Sequence, residues 1–314
     1  MRILLFLCLS TLLALGGYWV FAAAMIERQT AALLSDNSRL QGNAQSVTGF
    51  PLAFRTRIDA PSWRSQDGQR AWEAEDITLQ APSYRPNEIA ALFPPVQQLR
   101  LGAAETRLTT DDMTARLVLT PDRHLRLAAL EMQATSFTPP LALAALAAGQ
   151  IELHWVEGSR YNLQASAEAL RLSPEIHALL GPDDAALVED LALSATADFT
   201  GPVPLQGPWP GLETLQLAEA HLAWGTLRLS ATGQLARGAA GQIEGGFQLT
   251  VADWQALLAL LQQLDILPPD AALMAGMLFA AQAEPGTNRL TLPLDLRDGM
   301  VWLGPVALVQ LPAF

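Results

Sequence analysis

Alternation of apolar and polar residues with a period of two recurs about a dozen times after residue 50, and a chain with that pattern buries its apolar side chains only as a sheet. The first run is typical: Phe54, Thr56 and Ile58 alternate with Arg55, Arg57 and Asp59, setting one group on a protected face and three charges in water. The pattern returns at Ile77 to Ala81, Ala115 to Leu119, Leu130 to Ala134, Ile151 to Trp155, Tyr161 to Ala169 and Leu191 to Phe199. It continues at Leu215 to Leu222, Leu227 to Leu235, Phe247 to Val251, Leu290 to Leu296 and Met300 to Leu303. Turn formers separate the runs, as at Arg85-Pro86-Asn87, Thr120-Pro121-Asp122, Gly201-Pro202 and Asp298-Gly299. The last of these is the sharpest hairpin signal, because an Asp-Gly pair accepts the positive φ of a two-residue turn. An antiparallel meander is expected, wet on one face and in need of cover on the other.

Helical periodicity is confined to a few places. Ser173 to Leu180 has Pro174 near its start and Gly181 past its end, and 252–264 and 269–281 form a helical hairpin joined by Leu267-Pro268. Trp254, Leu257, Leu258, Leu261 and Leu264 recur at three and four, an apolar stripe suited to packing on the sheet or acting as a lid over it. Pro139-Pro140 divides a first β-rich half, 49–138, from a second, 139–314.

The other constraint lies at the start. From Ile3 to Ile26 there is no charged residue, and as a helix this run reaches about 36 Å, enough for a hydrocarbon layer of roughly 30 Å. Ile3, Leu9, Leu15, Trp19 and Ile26 mark the expected membrane anchor, Arg2 precedes it, and Tyr18, Trp19 and Phe21 sit toward its far end, where rings favour headgroups. A cleavable signal is the competing reading, since Ala22 and Ala24 have A-x-A spacing, but its apolar core should be only about 7 to 15 residues long. Either way the rest of the chain is expected outside the inner bilayer, carried on a helical stalk over 27–48.

Composition removes several functions. The 19 basic residues, all Arg, stand against 31 acidic ones for a net charge of -12, so phosphate backbones are repelled and nucleic acid is not an expected partner. The single cysteine, Cys8, leaves no internal disulfide and no thiolate metal site. His124, His154, His177 and His221 lack the spacing of H-E-x-x-H, and no G-x-S-x-G, P-loop or G-x-G-x-x-G occurs. No metal, no cofactor and no enzymatic activity are expected; the acidic pairs, such as Asp111-Asp112 and Asp183-Asp184, read as solvated turns.

The string Gly49-Phe50-Pro51-Leu52-Ala53-Phe54-Arg55, closely following a single N-terminal span, resembles the opening of domain-of-unknown-function family 2125 of Gram-negative bacteria. Trp72 and the run from Ala81 to Ile89 resemble that family's continuation, and the closing Asp298-Gly299-Met300-Val301-Trp302-Leu303-Gly304-Pro305 is similar to the ending of AsmA-like proteins more broadly. The resemblance implies a mainly β (α+β) chain: an N-terminal transmembrane helix followed by an antiparallel, curled β-sheet groove or sandwich with a few short helices. It also implies an inner-membrane, single-pass protein with its C-terminal domain in the periplasm.

Two functions fit. In the first, the oily sheet face binds or helps transfer phospholipid or another amphiphile, with Phe54, Ile58, Leu117 and Leu119 as lining and Arg55 and Arg57 placed to meet lipid phosphate. In the second, the sheet closes over an ordinary core and recruits an envelope protein through its exposed edges.

Overall fold

The computed structural model describes residues 2–36, 39–139, 141–180, 187–205, 208–238, 241–263, 269–284, 286–297, 299–303 and 306–310. It is mainly β and antiparallel, with 18 strands and four helices among the described residues. The chain forms two compact units, one of Met1–Asp122 with Leu130–Pro139 and one of Arg123–Ala129 with Pro140–Phe314.

In the first unit, helix α1 (Arg2–Asp36) precedes strands β1 (Leu40–Ala44), β2 (Ala53–Arg64), β3 (Arg70–Ala74), β4 (Asp76–Pro82) and β5 (Glu88–Leu92). Strands β6 (Val96–Leu101), β7 (Ala104–Thr109), β8 (Asp112–Leu119) and the later part of β9 (Leu125–Thr138) complete it. The organising strand is β2. Residues 53–59 pair with β4 and residues 62–64 pair with β3. At the changeover Ala60 takes φ 47°, a left-handed conformation costly for a residue with a Cβ and typical of a bulge that redirects a strand. From the two ends of β2 the sheet continues through β4, β5 and β8, and through β3, β6, β7 and β9.

The helical stalk expected over 27–48 is corrected: α1 ends at Asp36 and β1 is a strand on the other edge of β2. Its register slips between Gln41 and Asn43, so Gly42 is a bulge residue, and a Cβ there would lie 2.7 Å from Ile58 Cγ2. Only glycine lets the two strands approach so closely. The Gly49-Phe50-Pro51 string has a similar local reason: Gly49 has φ 99°, and a Cβ on it would stand 2.8 Å from the carbonyl oxygen of Ala53.

Helix α1 also departs from a free anchor. Its stripe at Trp19, Ala22, Ala23 and Ile26 packs against Val47 and Phe54, and about two turns further Leu34 packs with Ile58 and Ile77. This is the spacing of a helix lying on a sheet. Trp19 Nε1 donates to Ala53 O (3.1 Å), Tyr18 Oη to Ser83 O (3.1 Å), and Glu27 Oε1 accepts from Val47 N (2.8 Å). Tyr18 and Trp19, expected at the headgroups, therefore spend their polar atoms on sheet carbonyls. Among the described residues no helix is long and apolar enough to cross a membrane. Within α1 the described side chains begin at Gly16, so those of Ile3, Leu9 and Leu15 lie outside the described residues.

The second unit is a meander. Strands β10 (Leu143–Glu157), β11 (Arg160–Leu172), β12 (Leu187–Phe199), β13 (Leu212–Trp224), β14 (Leu227–Arg237) and β15 (Ile243–Val251) pair antiparallel in chain order. After two helices, β16 (Leu290–Arg297), β17 (Met300–Leu303) and β18 (Val306–Gln310) continue the series. The first helix of the unit, α2 (Pro174–Leu180), is capped by Ser173, whose Oγ accepts from Ile176 N (3.4 Å). Helix α3 (Trp254–Gln263) is capped by Asp253, whose carboxylate accepts from Gln255 N and Ala256 N (both 3.2 Å), and α4 (Pro269–Gln282) opens with proline. Leu264, Leu267 and Pro268, and Asp298 of the hairpin signal, lie outside the described residues; Gly299 has φ 71°.

Candidate functional site

The register of the second unit builds one uninterrupted apolar face. Because side chains alternate across a strand, residues paired in register share a face. One row reads Leu153, Leu163, Ala195, Leu217, Gly233, Phe247, Leu294 across β10 to β16, and the next reads Ile151, Ala165, Leu193, Ala220, Ala231, Leu249, Leu292. The flanking rows, from Trp155 to Leu296 and from Gly149 to Leu290, carry two polar side-chain atoms between them, the Tyr161 hydroxyl and the Trp155 indole nitrogen, which donates to Gly158 O (2.9 Å). Seven strands at about 4.8 Å give a face roughly 29 Å across.

It is covered in two places. At one, α3 and α4 bring Trp254, Leu258, Ala275 and Phe279 onto Leu249, Leu290 and Leu292, with Leu290 fully buried. At the other, Tyr161 is fully buried: its hydroxyl donates to Leu125 O (3.1 Å) and accepts from Val203 N (3.0 Å), and its ring meets Phe199 edge-on at 5.7 Å. Much of the rest, over β10 to β14, is not covered among the described residues. Leu163, Leu193, Leu217 and Leu229 are half-buried, and Ile151 and Leu191 remain 49% and 41% exposed. On α4, Leu273, Met274, Met277 and Leu278 are also exposed among the described residues and form an apolar stripe.

The opposite face is polar. Gln150, Gln164, Ser166, Ser194, Glu219 and His221 line a shallow cavity of about 210 Å³ there, and His221 Nε2 contacts the Asp190 carboxylate. His154 is exposed on the same face. Among the described residues no group of three His, Cys, Asp or Glu side chains could hold a metal ion.

On this face Arg160 and Asp198, paired between β11 and β12, meet at 2.9 Å (Nε to Oδ1), and Thr214 Oγ1 donates to the other carboxylate oxygen at 3.0 Å. The Arg160 hydrogen bond holds the Asp198 carboxyl below its usual 3.8. A depressed folded-state value adds stability that is present above the unfolded value and vanishes as pH falls through the folded one. Asp198→Asn is thus expected to melt slightly below the parent chain at neutral pH, with the gap closing as pH drops from about 4 toward 2. Melting curves at stepped pH check this; a gap that widens in acid contradicts it.

The residues singled out in the first alternating run occupy a different setting. Phe54 and Ile58 are buried under α1, with Trp19 stacked on Phe54 at 5.7 Å, so a helix of the chain itself covers them. Leu119 is buried and Leu117 half-buried in β8. Arg57 sits between Asp59 (3.1 Å) and Asp76 (3.3 Å), which engages its guanidinium with carboxylates, and Arg55 is exposed. The open apolar face lies instead on strands that the alternation had identified but for which it supplied no account of cover.

The chain is thus a mainly β, antiparallel protein, with a helix docked on the sheet of its first unit and an apolar face partly exposed over β10 to β14 of its second. The chain matches the bacterial family described as "Uncharacterized protein conserved in bacteria (DUF2125)" over residues 19–312, and it belongs to that family. The match begins at Trp19, one residue after the first sheet contact at Tyr18, so the docked half of α1 falls within the matched residues. Neither the curated proteins nor the solved structures include a match to this chain.

Proposed function

We propose that this protein is an inner-membrane-anchored, periplasmic β-sheet protein of the AsmA-like kind, which binds or passes on phospholipid or another amphiphile and performs no catalysis. The single observation that carries the reading is the four-row apolar face of the second unit, covered in two places and open over β10 to β14. Water against such a surface costs about 25 cal/mol per Å², and an acyl chain laid on it removes that cost without requiring any directional bond. The exposed Leu and Met side chains of α4, flexible and polarizable, suit the passage of a chain of variable shape. Anchoring is supported by the uncharged run from Ile3 to Ile26.

The test is binding of a fluorescent acyl probe by the full chain. Leu193→Asp with Leu217→Asp places two carboxylates on adjoining rows of half-buried residues, and apparent affinity is expected to fall at least about tenfold. Phospholipid is expected in solvent extracts of the purified parent chain. A parent chain that carries no lipid and takes up no probe rejects the reading, and a stoichiometric protein found crosslinked to Leu193 would instead support the scaffolding role.

A further inference from the structure

From the packing of α1 we infer that the first unit carries its own bilayer-docking collar, formed by Phe50, Leu52 and Tyr84 around the helix at Val20 and Phe21, and that its partner is the headgroup-acyl boundary of the membrane holding the helix. The inference rests on the anchoring just proposed and adds a surface to it.

Three chain segments converge here. Trp19 meets Phe50 edge-on at 5.5 Å and donates to Ala53 O, which fixes the helix beside the loop before β2. Tyr18 donates to Ser83 O, while Ser83 N donates to Leu52 O (2.9 Å) and Ser83 Oγ to Pro51 O (2.8 Å), which ties the turn after β4 to the same loop. The hydrogen bonds use the polar groups and leave the large apolar side chains outward: Phe50 is 57% exposed, Leu52 73%, Tyr84 76%, Val20 64% and Phe21 72%. No charged residue occurs from Ile3 to Ile26, from Gln45 to Phe54, or from Ile77 to Tyr84. Clustered exposure of this kind marks an interaction surface.

Helix length identifies the partner. From Ile3 to Gly17, ahead of the first sheet contact at Tyr18, a helix covers only about 22 Å, whereas crossing needs roughly 20 residues and 30 Å. A spanning α1 must therefore sink to about Ala22, and the loop and turn bound beside Tyr18 and Trp19 descend with it. Aromatic side chains with one polar end suit that depth.

The experiment uses the full chain with Cys8→Ser and one new cysteine, at Leu52, Tyr84 or Gln66, the last in the turn at the far end of β2. Each carries an environment-sensitive fluorophore in phosphatidylethanolamine/phosphatidylglycerol vesicles with or without a shallow nitroxide lipid. Labels at Leu52 and Tyr84 are expected to lose roughly half their emission to the nitroxide, as for side chains lying about 5–10 Å into the boundary, while the Gln66 label is unaffected. Labels at Leu52 and Tyr84 that ignore the nitroxide overturn the collar, whether iodide in the water reaches them or a second copy or another protein shields them. Flotation of the same samples separates the two ideas: a chain that floats with vesicles while its collar stays unquenched loses the collar and keeps the anchor, and a chain that does not float loses both.

Discussion

Tyr161→Ala is expected to cost the second unit about 3–5 kcal/mol, the scale for truncating a large buried ring, and to lower its melting midpoint by on the order of 10 °C. The ring is fully buried beside Phe199, so its removal leaves a cavity, and its hydroxyl is the shared partner of Leu125 O and Val203 N. Tyr161→Phe separates the two effects. It keeps the packing and orphans a buried carbonyl and a buried amide, a change worth about 1–3 kcal/mol. Thermal melts of both variants provide the check, and equal loss in the two would mean that hydrogen bonding, not ring volume, holds the segments at Leu125 and Val203 against β11.

Trp19→Ala is the matching experiment in the first unit. Trp19 contributes a hydrogen bond to Ala53 O, a stack on Phe54 and an edge contact to Phe50, and it is the end of the helix stripe nearest the apolar run. Its loss is expected to release α1 from the sheet by about 3 kcal/mol or more, so that trypsin reaches Arg28 roughly a hundredfold faster. Phe54→Ala acts on the same cluster, and the double variant should lose less than the two single losses added together. Unchanged cleavage would show that Leu34 and Glu27 suffice to hold the helix.

The alternation rule worked wherever the inward residue was apolar. All twelve runs it identified lie within strands; the helix after Ser173 was legible from Pro174, and the one expected from residue 252 was legible from its apolar stripe and begins at Trp254, after the Asp253 cap. It failed where the inward side chain is polar and the outward ones apolar. Strand β6 buries Gln97 and exposes Val96 and Leu101, the reverse of the pattern, because Trp72 Nε1 donates to Gln97 Oε1 at 2.7 Å and Pro94 O accepts from its amide at 3.3 Å. In β7 the buried Thr106 is satisfied by Pro139 O, 33 residues away. Strand β1 was hidden by Gly42, which reads as a break in a helix and serves as a bulge in a strand. A partner distant in the chain cannot be read from a local window.

The candidate site was half legible for a related reason. Phe54-Ile58 and Leu191-Leu193 have the same local signature, yet α1 lies over the first pair while the second stays partly open. Which side of a ribbon is oily follows from bond geometry, since successive Cβ atoms must point to opposite faces, and the amino-acid order alone determined it. What covers that side, and therefore whether it is core or binding surface, depends on helices and loops arriving from elsewhere, a balance of long-range packing decided only when the tertiary structure forms.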